Sequence, residues 1–205
     1  MSVLQSVACA LLAALALTAI GQQLLIHIGA SYNTLNFFSY FTNLSNLFAA
    51  FVLLLRVFSR SSRSAALDVV RYASAVNMAV VGIVFAALLR NVDLGALLPW
   101  VNFTLHYVMP VAVVLDWLLQ PPGSKLKLKF LALSLVFPAA YLAYVLLRGA
   151  ALGWYPYPFL NPANVGGYGG VAMYSVGIFV TFLVVGGALL AAGNRSGKVT
   201  SRVTR

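Results

Sequence analysis

Two residues of this chain point to chemistry by type and setting: Thr42 and His106. Each sits inside a long apolar run, Thr42 in Phe37-Phe38-Ser39-Tyr40-Phe41-Thr42-Asn43 and His106 in Asn102-Phe103-Thr104-Leu105-His106. A threonine hydroxyl is a weak nucleophile at its ordinary pKa and attacks only when a base takes its proton. An imidazole is such a base, and polar groups inside hydrocarbon are costly enough to mark a candidate site. The minimal chemistry is acyl transfer: His106 takes the Thr42 proton, Thr42 attacks an ester carbonyl, and water later releases the acid. Asp116 follows His106 by ten residues, about 15 Å along a helix axis, too far to orient the imidazole. The pair is therefore expected to be a dyad, without the carboxylate of a Ser-His-Asp triad. Asn43, Asn102 and Tyr40 are candidates to orient His106 or stabilise an oxyanion. Ser39, Thr42, Asn43 and Asn46 fall at i, i+3, i+4, i+7, so Ser39 and Asn46 share the helical face of Thr42. They serve as supporting residues or as interhelical hydrogen-bond glue. The dyad reading requires the Thr42 hydroxyl to lie within ~3.5 Å of a His106 ring nitrogen.

The elements that must position this pair are membrane helices. The chain has 205 residues, 62% hydrophobic and 8% charged, with three acids (Asp68, Asp93, Asp116) and no glutamate. Soluble domains carry about 25% charged residues. Several runs exceed the ~18 apolar residues that signal a transmembrane helix, and they lack the alternation of a barrel strand. The expected fold class is an all-α integral membrane protein: a single domain of six transmembrane helices in one bundle, at about 3–28, 36–58, 67–89, 99–119, 130–147 and 168–192. A basic tail, 193–205, follows. The first run lacks a positive n-region and exceeds a signal-peptide core of ~7–15 residues, so it counts as a span.

Charge sets the orientation. Eleven of the thirteen Lys/Arg residues, including Arg56, Arg60, Arg63, Arg71, Lys125, Lys127, Lys129 and Arg195, fall on one side; Arg90 and Arg148 fall on the other. The bias predicts both termini cytoplasmic, and it explains the net charge of +10 without a nucleic-acid partner. Helices two and four then enter from outside, with Thr42 about six and His106 about seven residues in, roughly 9–11 Å deep. Pro110, one turn after His106, removes a backbone hydrogen bond and kinks the helix. Arg71 is expected to snorkel toward the cytoplasm. Asp116 is expected to pair with a lysine or arginine near the cytoplasmic face, Ser74 and Asn77 to act as polar glue, and the lone Cys9 to pack in the core. Asp93 reads as a solvated loop residue.

The outer segment Trp154-Tyr155-Pro156-Tyr157-Pro158-Phe159-Leu160-Asn161-Pro162 resists helix because of its prolines. Trp154, Tyr155, Tyr157 and Phe159 form either an interfacial aromatic belt or a rigid lid over an outer cavity that admits a lipid-like substrate. Gly166, Gly167, Gly169 and Gly170 permit tight turns or close approach at the start of helix six.

Three segments taken together, Phe38-Ser39-Tyr40-Phe41-Thr42-Asn43-Leu44-Ser45-Asn46, Asn102–His106 with Pro110, and Tyr155-Pro156-Tyr157-Pro158-Phe159-Leu160-Asn161, resemble the androgen-induced-protein family, which includes the bacterial Pr6Pr group of six-span membrane proteins. The resemblance covers helices two to six in order. It implies a threonine hydrolase of fatty acid esters of hydroxy fatty acids, with Thr42 matching the nucleophile and His106 the base. The Asn102–His106 spacing departs from the animal pattern, in which an Asn-His pair is adjacent. The resemblance and the basic, Ala-rich composition imply a multi-pass protein of a bacterial inner membrane, with its site in the outer leaflet half.

The expected partners are a lipid or fatty-acyl ester substrate and membrane lipids, with no cofactor and no metal; the sequence leaves the oligomeric state open. Two other classes compete. One is a non-catalytic lipid- or small-molecule-binding or transport protein. The other, weaker, is haem or metal binding through His27 and His106. A rhomboid-like protease is weaker still, because no Gly-x-Ser-Gly element occurs in a membrane run.

Overall fold

The computed structural model describes residues 2–59, 64–92 and 97–203, with side chains through 195. Arg60, Arg63, Asp93 and Arg205 lie outside the described residues, as do the side chains of Lys198 and Arg202. Among the described residues there is no strand, and six helices are long and apolar enough to cross a membrane. They are α1 (Val3–Gly29), α3 (Phe41–Phe58), α4 (Ala65–Leu89), α5 (Pro99–Leu119), α6 (Lys129–Leu152) and α7 (Tyr168–Arg195). A short helix, α2 (Thr34–Phe38), precedes α3. The expected second run, 36–58, is thus two helices with a break at Ser39-Tyr40. Thr42 stands in the first turn of α3 rather than six residues into one continuous helix. Helix α7 continues through Val203, so the helical backbone extends across most of the expected tail.

Local chemistry explains the ends. Ser2 and Gln5 form a reciprocal capping box on α1, and Asn33 caps α2 by accepting from the Leu35 amide at 2.9 Å. Pro99 opens α5, where a missing N–H costs nothing. Gly153 ends α6 with φ +67°, a left-handed cap that glycine adopts without strain.

Helix α4 is the hub and packs on α3, α5 and α7; Tyr72, Ala75, Val76 and Met78 on it are fully buried. Helices α1 and α3 approach through small residues, Ala13 and Ala16 on one and Ala49 and Ala50 on the other, as membrane helices do where hydrophobicity cannot drive association. Polar ties fix the far side of the hub. The Tyr72 hydroxyl donates to the Gly186 carbonyl at 2.8 Å, and Trp117 Nε1 donates to the Leu189 carbonyl at 2.9 Å. Helix α6 is peripheral. It breaks at Leu135, and few of its side chains are buried.

The end of the bundle that holds the chain termini is pinned by charge. Arg56 pairs with Asp116 and donates to the Gln120 side chain. Arg71 pairs with Asp68 at 3.1 Å and Asp116 at 3.4 Å, and it donates to the Gln120 carbonyl at 2.7 Å. Asp68 in turn accepts the Gly123 amide at 2.8 Å. Asp116 therefore finds arginines, as expected. Arg71, however, does not snorkel: it is 6% exposed and held inside by two carboxylates. Cys9 is buried in the core, and Arg56 donates to its sulfur at 3.5 Å.

Removing one partner of a buried ion pair strands the other charge, a cost of about 3–5 kcal/mol. Asp116→Ala should therefore lower the thermal unfolding midpoint in detergent far more than Lys129→Ala at the same end, as differential scanning fluorimetry will show.

Candidate functional site

Thr42 and His106 meet at the opposite end of the bundle. The Thr42 Oγ1 to His106 Nε2 distance is 3.2 Å, and each residue is less than one-tenth exposed. The other ring nitrogen, Nδ1, lies 3.1 Å from the Asn102 carbonyl. A carbonyl oxygen only accepts, so Nδ1 carries the proton and Nε2 presents its lone pair. The Thr42 hydroxyl then donates to Nε2, which is the arrangement a general base needs. The Asn102 main chain, not its side chain, orients the ring; its Oδ1 is buried without a partner among the described residues.

Two distortions of regular helix bring His106 into place. Residues Thr104–Val108 of α5 form a π turn, as do Phe85–Leu89 of α4. A π turn widens the helix by one residue and re-aims the side chains it carries. Phe85, from the α4 turn, stacks on the His106 ring with centroids 4.0 Å apart and planes 22° apart. Pro110 follows the α5 turn, and Gly82 on α4 lets the two helices close. A Cβ at Gly82 would stand 3.1 Å from Pro110 Cβ and 3.6 Å from the His106 carbonyl oxygen.

Thr42 is placed by the break before α3. The Ser39 hydroxyl donates to the Leu35 carbonyl at 2.7 Å and meets the Tyr144 hydroxyl at 2.9 Å, while the Ser39 carbonyl accepts from Tyr141 at 2.8 Å. Asn43 Nδ2 donates to the Phe37 carbonyl at 2.8 Å. Asn46 Nδ2 donates to the Thr42 carbonyl at 2.9 Å and to the Leu105 carbonyl at 3.2 Å. Asn46 therefore ties the helix of the hydroxyl to the helix of the imidazole. Ser39, Asn43 and Asn46 all hold backbone in position, through hydrogen bonds to main-chain carbonyls. Ser39 and Asn46 act as glue within and between helices.

The aromatic segment folds against the site instead of lying along the surface. Tyr157 and Phe159 are buried and stack on one another with centroids 5.2 Å apart. The Tyr157 hydroxyl accepts the Thr42 backbone N–H at 3.3 Å. Tyr40 packs edge-on against both Tyr157 and Trp154. Trp154 also lies under the Arg148 guanidinium, 5.1 Å from ring centroid to Cζ, and Arg148 donates to Asn36 at 2.6 Å. Tyr155 occupies the notch left by Gly149, where a Cβ would come within 2.1 Å of its ring. Behind this segment, Gly166 and Gly167 take positive φ, the turn expected there.

Two cavities meet at Thr42. One, about 220 Å³, lies among α4, α6 and α7 and is almost wholly apolar, with Val84, Leu142, Ile178 and Phe182 in its wall. The other, about 510 Å³, is a more polar vestibule at the end of the bundle, with His27, Asn33, Asn36, Tyr40, His106 and Trp154 in its wall. Thr42 and Tyr157 belong to both walls.

Both nitrogens of His106 are committed to protein partners, and His27 Nε2 bonds the Asn33 carbonyl at 2.9 Å. No cluster of three or more metal-ligating side chains occurs among the described residues.

The fold and site describe a polytopic helical membrane protein with a hydroxyl–imidazole pair buried between two cavities. The sequence model for FAR-17a/AIG1-like proteins matches residues 7–191, and the chain belongs to that family, the androgen-induced gene 1 family. Members of the family are linked to hydrolase activity. No curated protein and no solved structure matches the chain.

The sequence singled out Thr42 and His106 but not Phe85, and it marked Tyr157 as part of either an interfacial aromatic belt or a lid. Nothing in the local sequence around Phe85 distinguishes it from a packing residue. Asn46→Ala should leave both site residues intact yet loosen their alignment. It should cost about 1–3 kcal/mol, because two buried carbonyls lose their donor. Reaction of Thr42 with an electrophilic phosphonate should slow in parallel, measured by intact-protein mass spectrometry.

Proposed function

We propose that this protein is a membrane-embedded hydrolase that cleaves carboxylic esters of lipids, with Thr42 as nucleophile and His106 as general base. The observation that carries this reading is the 3.2 Å contact from Thr42 Oγ1 to His106 Nε2, with the His106 tautomer held by the Asn102 carbonyl. The imidazole takes the hydroxyl proton as Thr42 attacks the ester carbonyl, and it returns that proton to the leaving alcohol. Water then repeats the sequence on the acyl-threonine and releases the acid.

The two cavities support a lipid substrate. An acyl chain fits the apolar cavity among α4, α6 and α7, and the polar vestibule gives water and the alcohol portion a path to Thr42. Phe179 lines the apolar cavity while remaining 48% exposed on the bundle's outer face, so a chain can enter from the bilayer beside it. Esters of hydroxy fatty acids, the class implied by the family resemblance, suit this division. The basic bias of the opposite end supports a site in the outer half of the membrane, by the rule that orients bacterial inner-membrane proteins.

A fluorophosphonate probe should label the wild-type protein at Thr42. Thr42→Ala and His106→Gln should each abolish labelling and reduce hydrolysis of a long-chain umbelliferyl ester by about 10⁴-fold or more. Full ester turnover by both variants would leave a lipid-binding or transport role instead. Val84→Phe, which fills the apolar cavity, should depress kcat/KM for long acyl chains more than for short ones. An unchanged chain-length profile would count against acyl binding there.

A further inference from the structure

We propose that Tyr157 is a catalytic residue of this site: its hydroxyl donates the hydrogen bond that stabilises the oxyanion formed when Thr42 attacks an ester carbonyl. This rests on the hydrolase reading above and extends it to a residue 115 positions from the nucleophile.

An oxyanion needs preorganised donors next to the nucleophile, and most of the donors around Thr42 are already taken. The Asn43 amide bonds the Phe37 carbonyl. The Asn46 amide bonds two carbonyls. The Asn43 and Leu44 backbone N–H groups bond the Tyr40 carbonyl. Two phenols of the vestibule wall, Tyr157 and Tyr40, lie near Thr42, and they differ in reach. The Tyr157 oxygen lies 3.3 Å from the Thr42 amide nitrogen, beside the residue that carries the nucleophile. Tyr40 contacts the site through its ring, edge-on to Tyr157.

The contact also primes Tyr157 as a donor. A phenol oxygen that accepts an N–H becomes a better donor through its own proton, because hydrogen bonds in a chain polarise one another. That N–H belongs to the first turn of an 18-residue helix, whose positive end favours negative charge nearby. Burial raises the Tyr157 phenol above its ordinary pKa, so the proton stays in place near neutral pH. The position is held firmly: Tyr157 is stacked on Phe159, packed against Tyr40 and flanked by Pro156 and Pro158.

The step balances as follows. Thr42 Oγ bonds the carbonyl carbon as its proton passes to His106 Nε2, and the carbonyl π pair moves onto oxygen. Tyr157 donates a hydrogen bond to that oxygen and keeps its proton. When the pair returns, the bond to the alcohol breaks, and the alcohol leaves with the proton from His106. Water, attacking the acyl-threonine, forms a second oxyanion at the same donor.

The test uses the full-length protein in detergent with a long-chain umbelliferyl ester. Tyr157→Phe keeps the ring and removes the hydroxyl. It should lower kcat by about 10²–10³-fold, the loss typical of one oxyanion donor, with KM and melting temperature unchanged. Wild-type kcat in Tyr157→Phe, with Thr42→Ala inactive, would overturn the role of Tyr157 and leave the hydrolase reading standing. Wild-type turnover in Thr42→Ala would overturn the hydrolase reading itself. A kcat loss in Tyr40→Phe but not in Tyr157→Phe would move the role to Tyr40 and overturn the inference. If Tyr157→Phe fails to fold, a fluorinated tyrosine at position 157 retains the hydroxyl and alters its acidity. A changed kcat at constant KM is the expected result there, and an unchanged kcat overturns the inference.

Discussion

The polar side chains of this bundle depend on partners inside the protein, because hydrocarbon offers none, although a few buried atoms, Asn102 Oδ1 among them, have no partner among the described residues. That constraint shapes both ends of the molecule. At one end it gathers Arg56, Asp68, Arg71 and Asp116 into a buried network in which each charge is met by an opposite one. At the other it forces Thr42, His106, Asn46 and Tyr157 onto one another and onto backbone carbonyls. A hydroxyl and an imidazole settle against each other there, in the geometry that general-base chemistry requires.

The site depends on irregular backbone. The break at Ser39-Tyr40 puts Thr42 in the first turn of α3, where its backbone N–H has no partner within the helix and can point to Tyr157. The π turn at Thr104–Val108 sets His106 facing α3 while the Asn102 carbonyl fixes its tautomer. The matching π turn in α4 slides Phe85 over the ring. Around these distortions the structure is stiff. Gly82 and Pro110 interlock α4 with α5, Asn46 joins α3 to α5, and the charge network clamps the same three helices at the far end.

The cavities give this arrangement direction. The apolar one runs along α6, the least buried of the six membrane-length helices and one that is broken at Leu135. The polar one opens where α2 and the aromatic segment cover the end of the bundle. Thr42 lies where they join, the position at which the proposed ester would present its carbonyl to the hydroxyl.

Much of this was legible in the residues. Composition and run length determine an all-helical membrane protein with six candidate spans, because so few charges cannot cover a water-facing surface. Helical spacing set Ser39, Thr42, Asn43 and Asn46 apart, and depth matched Thr42 to His106. The match holds although one of its premises does not: Thr42 begins a helix instead of sitting inside one. Asp116 was expected to find a basic partner, yet its meeting with both Arg56 and Arg71, and the burial of Arg71, depend on three helices packing together. Tyr157 looked like part of a lid, and its hydroxyl reaches the Thr42 backbone only because the prolines and the Gly149 notch fold that segment inward. Periodicity reports which side chains share a face of one regular helix. It carries no information about π turns, helix adjacency or contacts across 115 residues, because these arise from packing between elements. The sequence by itself therefore determined the membrane fold and singled out the two residues proposed to start the chemistry. Tertiary structure decided that they touch, which nitrogen faces the hydroxyl, and what surrounds them.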